Sequence, residues 1–336
     1  MGGMAGFMYR QLTFTPKPLP SDISLSDKTA LITGGNAGLG LEAAKEMAAH
    51  NLSRVILGVR TLSKGEAAKE EILSQSPNCE VLIWELDQES FPSIQAFGER
   101  AARELDRLDI VILCAGVKLL EFFKSKTGHE MNVQVNHIGT ALLSLLLLSP
   151  LQSSQPARLT IVTSEVHFWT EFEAKDAPNI LARLDEPSSF GKGMDRYNTS
   201  KLLNILWLRE LSLKVGPNLI VNGVNPGLCA STLHRSDTTP GINTFNKVFA
   251  WTAAQGGHNL VDAAVQHSQI QGAYLSEQAI KKPSPFVLSA QGKKAQTKVW
   301  NETVALLQEQ LPGVDLLKNL VYVHQLASQC VEVGGA

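Results

Sequence analysis

The sequence predicts a doubly wound α/β fold, a mostly parallel sheet with helices on both faces. Three observations carry that prediction. Six short runs are apolar through most of their length, as strands buried on both faces are. Amphipathic stretches separate them, for example Leu39 to His50 and Lys64 to Ser74. The first apolar run ends in a glycine-rich turn that leads straight into one of those stretches. Such alternation belongs to parallel sheets built with right-handed crossovers.

Taken in order, residues 1–27 carry Pro16, Pro18 and Pro20 and no period, so they read as an arm lying on a domain. The strands follow as KTALIT, SRVILGV, CEVLIWEL, LDIVILCAG, ARLTIVTS and LIVNGVNP, in a sheet of six to seven strands. Residues 168–193 are polar and rich in Pro, Gly and Asp, and read as a surface insertion before the helix that carries Tyr197. Residues 228–250 mix Thr, Ser and Pro with bulky apolar side chains and read as a loop over a substrate. A helix over roughly 297–310 forms a C-terminal helical extension. These boundaries give one domain over 28–315 and a tail over 316–336, although 336 residues also suit two domains.

Composition narrows the function. The 30 Lys and Arg nearly balance the 32 Asp and Glu, leaving no basic excess for a phosphate backbone, so no nucleic acid is expected. Cys79, Cys114, Cys229 and Cys330 lie far apart, and the eight histidines show no metal-ligand spacing, so neither a disulfide framework nor a metal is expected. The apolar stretch Ala141 to Leu151 is broken by Ser144, Ser149 and Pro150 and falls short of the ~20 residues of a membrane span. No basic segment followed by an apolar core opens the chain, and Gly6 stands where a myristoylation signal needs Ser or Thr. A cytoplasmic protein is the expectation.

The glycine-rich turn is TGGNAGLG, Thr33 to Gly40. Gly34 permits a tight turn, while Gly38 and Gly40 let the backbone and the helix N-terminus approach a pyrophosphate. An ordinary strand–helix turn would look the same. The second strand closes in Gly58, Val59 and Arg60, with Lys64 one helical turn on. An NAD site puts a carboxylate there for the ribose 2′-hydroxyl; a guanidinium suits a 2′-phosphate and favours NADP(H). A bare 2′-hydroxyl would leave Arg60 without an anionic partner, unless the two basic residues are merely a solvated helix start. Tyr197 and Lys201 stand four apart in YNTSK and share a helix face, where an ammonium would stabilise a phenolate and lower the phenol's pKa. A chance pair somewhere in such a chain is roughly a one-in-five event at ordinary Lys usage, so the spacing alone proves little.

The order of these features resembles the short-chain dehydrogenase/reductase family over about residues 25–315. TGxxxGxG is followed by Asp87, Asn136, Ser164, YxxxK and Pro226-Gly227, each at a strand end or on the helix where that family has it. VNHIGTALL, DRYNTSKLLN and VNPGLCAST look most like its retinol-dehydrogenase-like branch, especially fungal members. The resemblance implies a Rossmann domain in which Tyr197 is the general acid/base and Lys201 tunes it while binding the nicotinamide ribose. Ser164 would hydrogen-bond the substrate oxygen, and Asn136 would support a water relaying protons from Lys201. The cofactor would lie along Gly34, Asn36, Gly38, Leu39 and Gly40, then Arg60, Lys64 and Asp87. It would continue past Ala115 and Gly116 to Tyr197, Lys201, Pro226, Gly227 and Ser231.

Cys114 stands where the family usually has the Asn of Asn-Ala-Gly, which puts local rigidity in question rather than chemistry. Glu165, beside Ser164, is expected to point to solvent. His167 is expected to pack or hydrogen-bond. Phe168, Trp169, Phe245, Phe249 and Trp251 line an apolar substrate pocket or belong to the core. Leu145 to Leu148 reads as helix core or as the face of a homo-oligomer. The resulting expectation is an NADPH-dependent reductase interconverting an apolar ketone and a secondary alcohol, on a substrate of fungal secondary-metabolite type. The alternative is an NADP-binding scaffold, or a cyclase or isomerase on the same fold.

Overall fold

In the computed structural model, residues 3–320 are described, apart from 235, 236, 238, 268 and 269. Of the tail expected over 316–336, residues 321–336, including Cys330, lie outside the described residues.

Eight strands form one sheet in the order β3-β2-β1-β4-β5-β6-β7-β8. They are β1 Thr29–Thr33, β2 Arg54–Val59, β3 Glu80–Glu85, β4 Ile110–Leu113, β5 Ala157–Val162, β6 Leu219–Asn225, β7 Ala273–Ser276 and β8 Ala279–Lys281. Neighbours from β3 through β7 pair in parallel, and β8 turns back antiparallel on β7. The first six coincide with the six apolar runs. The sheet thus exceeds the expected six to seven strands because of the closing hairpin. Its turn, Glu277-Gln278, holds both residues at positive φ (50° and 51°). Asn-Gly or Asp-Gly usually marks such a turn, and Glu-Gln carries no such mark.

Successive strand residues feed opposite faces, as the pleat requires. Leu31, Ile56, Val111 and Leu159 join one core with helices Phe91–Glu104, Gly139–Leu146 and Asp195–Ser212. Ala30, Ile32, Val55 and Leu57 join the other with helices Gly38–Ala49, Leu62–Gln75 and Ala253–Val265. Side-chain caps start several of these helices: Ser90 accepts from Ser93 N, and Thr252 forms a reciprocal capping box with Gln255. The C-terminal helix runs Ala290–Gln310, beginning ahead of the expected start, and packs on the outer side of Asp195–Ser212 through stacked Trp207 and Trp300. Leu145, Leu147 and Leu148 are core residues. Among the described residues no helix is long and apolar enough to cross a membrane.

Two segments differ from their sequence-based reading. Residues 4–13 form a helix, Met4–Thr13, with Phe7 and Gln11 buried. Its sequence lacks a helical apolar stripe because a polar residue, Gln11, supplies half of the buried face. The expected surface insertion has a core side: Phe172, Ile180, Leu181 and Leu184 are buried, and Glu302 Oε2 accepts from the N–H groups of Ile180 (2.8 Å) and Leu181 (3.1 Å). Its helix, Ile180–Leu184, is too short to show a period.

The strand order reverses direction between β1 and β4. In open α/β sheets, ligands bind beyond the carboxyl ends of the strands at such a switch point.

Candidate active site

A cleft of about 900 Å³ opens there, running from Arg60 and Asp87 past Gly34 and Gly116 to Ser164 and Tyr197. Every expected site residue except Asn136 lines it. Asn136 lies just behind Gly116, where a Cβ would stand 3.0 Å from its Oδ1.

At the turn after β1, Gly34 has φ +69°, and a Cβ there would stand 3.1 Å from Ala115 Cα. A Cβ on Gly40 would meet Gly34 O at 2.7 Å, so strand end and helix start approach more closely than a side chain allows. Ala37, the residue before helix Gly38–Ala49, caps nothing with its side chain, so orphan N–H groups face the cleft. That is the arrangement a pyrophosphate fits. Thr33 Oγ1 accepts from both Cys114 N and Ala115 N, at 3.0 Å each, and ties β1 to the chain after β4. That tie uses backbone N–H groups and does not depend on the side chain at position 114.

Beyond β2, Arg60 is largely exposed and pairs with Glu89, Nη1 to Oε1 at 3.3 Å. Arg60 therefore has an anionic partner without any 2′-phosphate, contrary to the expectation. The strand register holds the signal: Val59 pairs with Glu85, so the turn after β3 rises beside Arg60. Asp87 Oδ1 accepts from Glu89 N at 3.0 Å, and Lys126 stands 3.7 Å from its other oxygen.

Tyr197 and Lys201 lie one turn apart on helix Asp195–Ser212, both buried. Lys201 Nζ donates to Val162 O at 3.0 Å and stands 5.8 Å from the Tyr197 ring centroid. No protein group among the described residues bonds the Tyr197 hydroxyl. Burial pushes that phenol up, with Cys114 adding to the rise. Burial also brings the Lys201 ammonium down to about 8, against an opposing effect of Cys114. The phenol is thus raised by burial, not lowered as the Tyr197–Lys201 spacing led one to expect. The Cys114 thiol is itself pushed up to about 11 by burial, against the pull of Lys201.

Asn136 sits in a π-helical turn, Gln134–Ile138. Its amide donates to Val117 O (2.8 Å) and Ser200 Oγ (2.9 Å), and its Oδ1 accepts from Val117 N (2.8 Å). Asn136 thereby clamps the loop after β4 to the Tyr197 helix. Ser164 ends the chain leaving β5, and its hydroxyl oxygen accepts a long 3.4 Å bond from Val166 N. His167 is buried, with Nδ1 donating to Ser164 O (2.6 Å) and Nε2 accepting from Ser284 N (3.1 Å), the hydrogen-bonding role expected of it. Burial keeps it neutral, at about 4.

Glu165 overturns its expectation. It is buried, pairs with Arg10 of the N-terminal helix, and is pushed up to about 7 by burial, which outweighs Arg10. A partner 155 residues away leaves no sequence signal. Lys118 and Asp237 form a second pair the sequence hid, at 2.7 Å and almost fully buried, joining the loop after β4 to the loop after β6. Of the aromatic candidates, Trp169 and Phe245 line the cleft. Phe168 packs on the core, Trp251 is buried behind Gly227, and Phe249 packs on Phe245. Among the described residues no cluster of His, Cys, Asp and Glu could hold a metal.

A doubly wound sheet, a tight glycine turn at its switch point and a buried Tyr-x-x-x-Lys pair together form the arrangement expected of a nicotinamide-dependent oxidoreductase. A family model described as short chain dehydrogenase matches residues 28–172. The chain is 68% identical over 287 residues to the short chain dehydrogenase sol3 of Alternaria solani, covering 84% of this chain and all of that one. It is 36% identical to the short chain dehydrogenase/reductase dmxR8 of Cryptosporiopsis sp. (strain 8999), covering 92% and 98%. The chain belongs to the short-chain dehydrogenase family. The fold is shared with a protein from Mycobacterium paratuberculosis (TM-score 0.66, 22% identity, 87% of this chain and 98% of that one). It is shared too with a short chain dehydrogenase from Escherichia coli CFT073 solved with NADPH (TM-score 0.59, 22% identity, 78% and 100%).

Proposed function

We propose that this protein is an NADP(H)-dependent reductase that interconverts a ketone and a secondary alcohol. The observation that carries the reading is Tyr197: a buried phenol lining the cleft, its hydroxyl bonded to no protein group among the described residues, with a fixed ammonium one helical turn away. The glycine turn, Arg60, Lys64, Asp87, Pro226, Gly227 and Ser231 would hold a nicotinamide dinucleotide in the cleft, which would supply or accept the hydride.

In the reducing direction Tyr197 gives its proton to the carbonyl oxygen. A phenol is protonated at neutral pH, the state a donor requires; burial raises its pKa further, so the charge that forms on proton transfer needs the ammonium beside it. Lys201, anchored on Val162 O, keeps a positive charge beside the ring while the phenolate forms. The Ser164 hydroxyl hydrogen-bonds the same substrate oxygen. Asn136 holds the loop at Gly116 against the Tyr197 helix and supports a water that returns protons toward Lys201. Trp169 and Phe245 favour an apolar substrate, and the resemblance to fungal members favours one of secondary-metabolite type. We read residues 28–315 as the catalytic unit. The half-buried to buried free thiols Cys79, Cys114 and Cys229 suit a reducing, cytoplasmic setting.

Consumption of NADPH over a panel of ketones tests the reading. Tyr197→Phe should lower turnover by ~10²–10⁴-fold while NADPH still binds. A variant keeping more than about a tenth of the wild-type rate, far above that range, removes Tyr197 from the role.

A further inference from the structure

The N-terminal helix Met4–Thr13 lies outside the doubly wound core, yet three of its side chains are tied into the far end of the cleft. The Gln11 amide donates to Leu228 O (3.0 Å) and Phe249 O (2.8 Å), and its Oε1 accepts from Leu228 N (3.1 Å). Arg10 pairs with Glu165 and reaches Glu277 at 3.5 Å. Phe7 is buried edge-on against Trp169, with ring centroids 5.4 Å apart at 89°. Glu165 adjoins Ser164, and Trp169 lies five residues beyond it, so the helix is fastened to the segment that presents the substrate oxygen's partner. Met4 and Phe7 both line the cleft, Met4 at its exposed rim. A buried polar clamp such as Gln11, with donors and acceptor all satisfied, fixes one position of the helix.

We propose that this helix is a wall of the substrate pocket and that Phe7 is a specificity-determining residue, limiting the bulk of the ketone admitted beside Trp169. The proposal rests on the reductase reading of the cleft. An aromatic ring held on a fixed helix, set edge-on against an indole, closes the pocket beside Trp169. Removing the ring leaves apolar space bounded by Trp169 and Met4, which a second ring on the substrate fills.

The test compares kcat/KM with NADPH for cyclohexanone and for the two-ring ketone 2-decalone. Phe7→Ala should raise the two-ring to one-ring ratio by about tenfold, the scale at which apolar pockets discriminate. Met4→Trp, which narrows the rim, should lower it. Tyr9→Ala, on the exposed face of the same helix, should leave it unchanged. Nile red binding at saturating NADPH reads the same pocket without turnover: tighter in Phe7→Ala, weaker in Met4→Trp. Ratios and dye affinities unmoved in both variants overturn the proposal. A wild type that reduces no ketone overturns the reductase reading instead, while the dye measurement still decides whether Phe7 walls the pocket.

Discussion

Arg60 and Glu89 together set an expectation for cofactor choice that neither sets alone. The Arg60 side chain is 63% exposed, whereas Glu89 is 14% exposed, and they stand 3.3 Å apart. A charge-assisted hydrogen bond to a 2′-phosphate is worth ~1.5–3 kcal/mol, and so exposed a guanidinium belongs at the low end. At ~1.5 kcal/mol the wild type should bind NADPH about tenfold more tightly than NADH. Glu89 works against that preference twice, by holding Arg60 and by repelling the phosphate. The exposed pair is worth ~0.2–1 kcal/mol, so Glu89→Gln should widen the preference by up to about fivefold. Arg60→Ala leaves the carboxylate alone beside the ribose, where it accepts from a 2′-hydroxyl and repels a phosphate; the preference should vanish or invert. Raising salt from 0.1 to 1 M shortens the screening length from ~10 to ~3 Å and should weaken NADPH more than NADH. Calorimetric titration of both cofactors against the three proteins measures all of this. Equal affinities in the wild type, a preference that survives loss of Arg60, or one that shrinks in Glu89→Gln would refute the reasoning.

Three other expectations are as specific. Because burial sets the Lys201 ammonium at about 8, affinity of the free enzyme for NADPH should decline as pH rises through that value; in Lys201→Met it should be weaker and lack that decline, as fluorescence titration across pH would read. Glu165 has a folded-state pKa raised to about 7 from 4.5, so the folded state binds more protons between those values and loses stability as pH rises through them. The melting temperature of the wild type should therefore fall relative to Glu165→Gln from about pH 5 to about pH 8, and parallel curves would contradict it. Trp207 is buried, stacked on Trp300 at 4.4 Å and bonded through Nε1 to Ser144 Oγ at 3.0 Å, so Trp207→Ala should cost ~3–5 kcal/mol in denaturant unfolding.

The parts of the molecule that could be read from sequence are those whose determinants are local. Strands such as ALIT and VILGV are apolar because both faces are covered, and that covering leaves its mark in consecutive residues. The Tyr197–Lys201 spacing and the glycine turn are likewise local, and the sheet brings them to one cleft with Ser164 and Arg60. What stayed hidden depends on remote partners. Gln11 counts as polar in any hydropathy pattern, yet it is buried because backbone groups of residues 228 and 249 receive it. Glu165 looks solvent-bound until Arg10 folds over it, and Glu89 becomes part of the ribose end only through the alignment of β2 with β3. The β7–β8 hairpin lacked its usual turn residues and so left nothing to read.

That hairpin has a consequence for how copies of the chain meet. Without it the sheet would end at β7, four buried residues whose free backbone groups invite another chain to add a strand. β8 takes those bonds itself and offers outward only three residues, with exposed Ile280 and Lys281 followed by Lys282 and Pro283. The opposite margin, β3, begins and ends on exposed Glu80 and Glu85. Both margins thus carry the short length or the charge by which native sheets discourage edge-to-edge aggregation. Edge-to-edge extension of the sheet is therefore the disfavoured way for copies of the chain to meet.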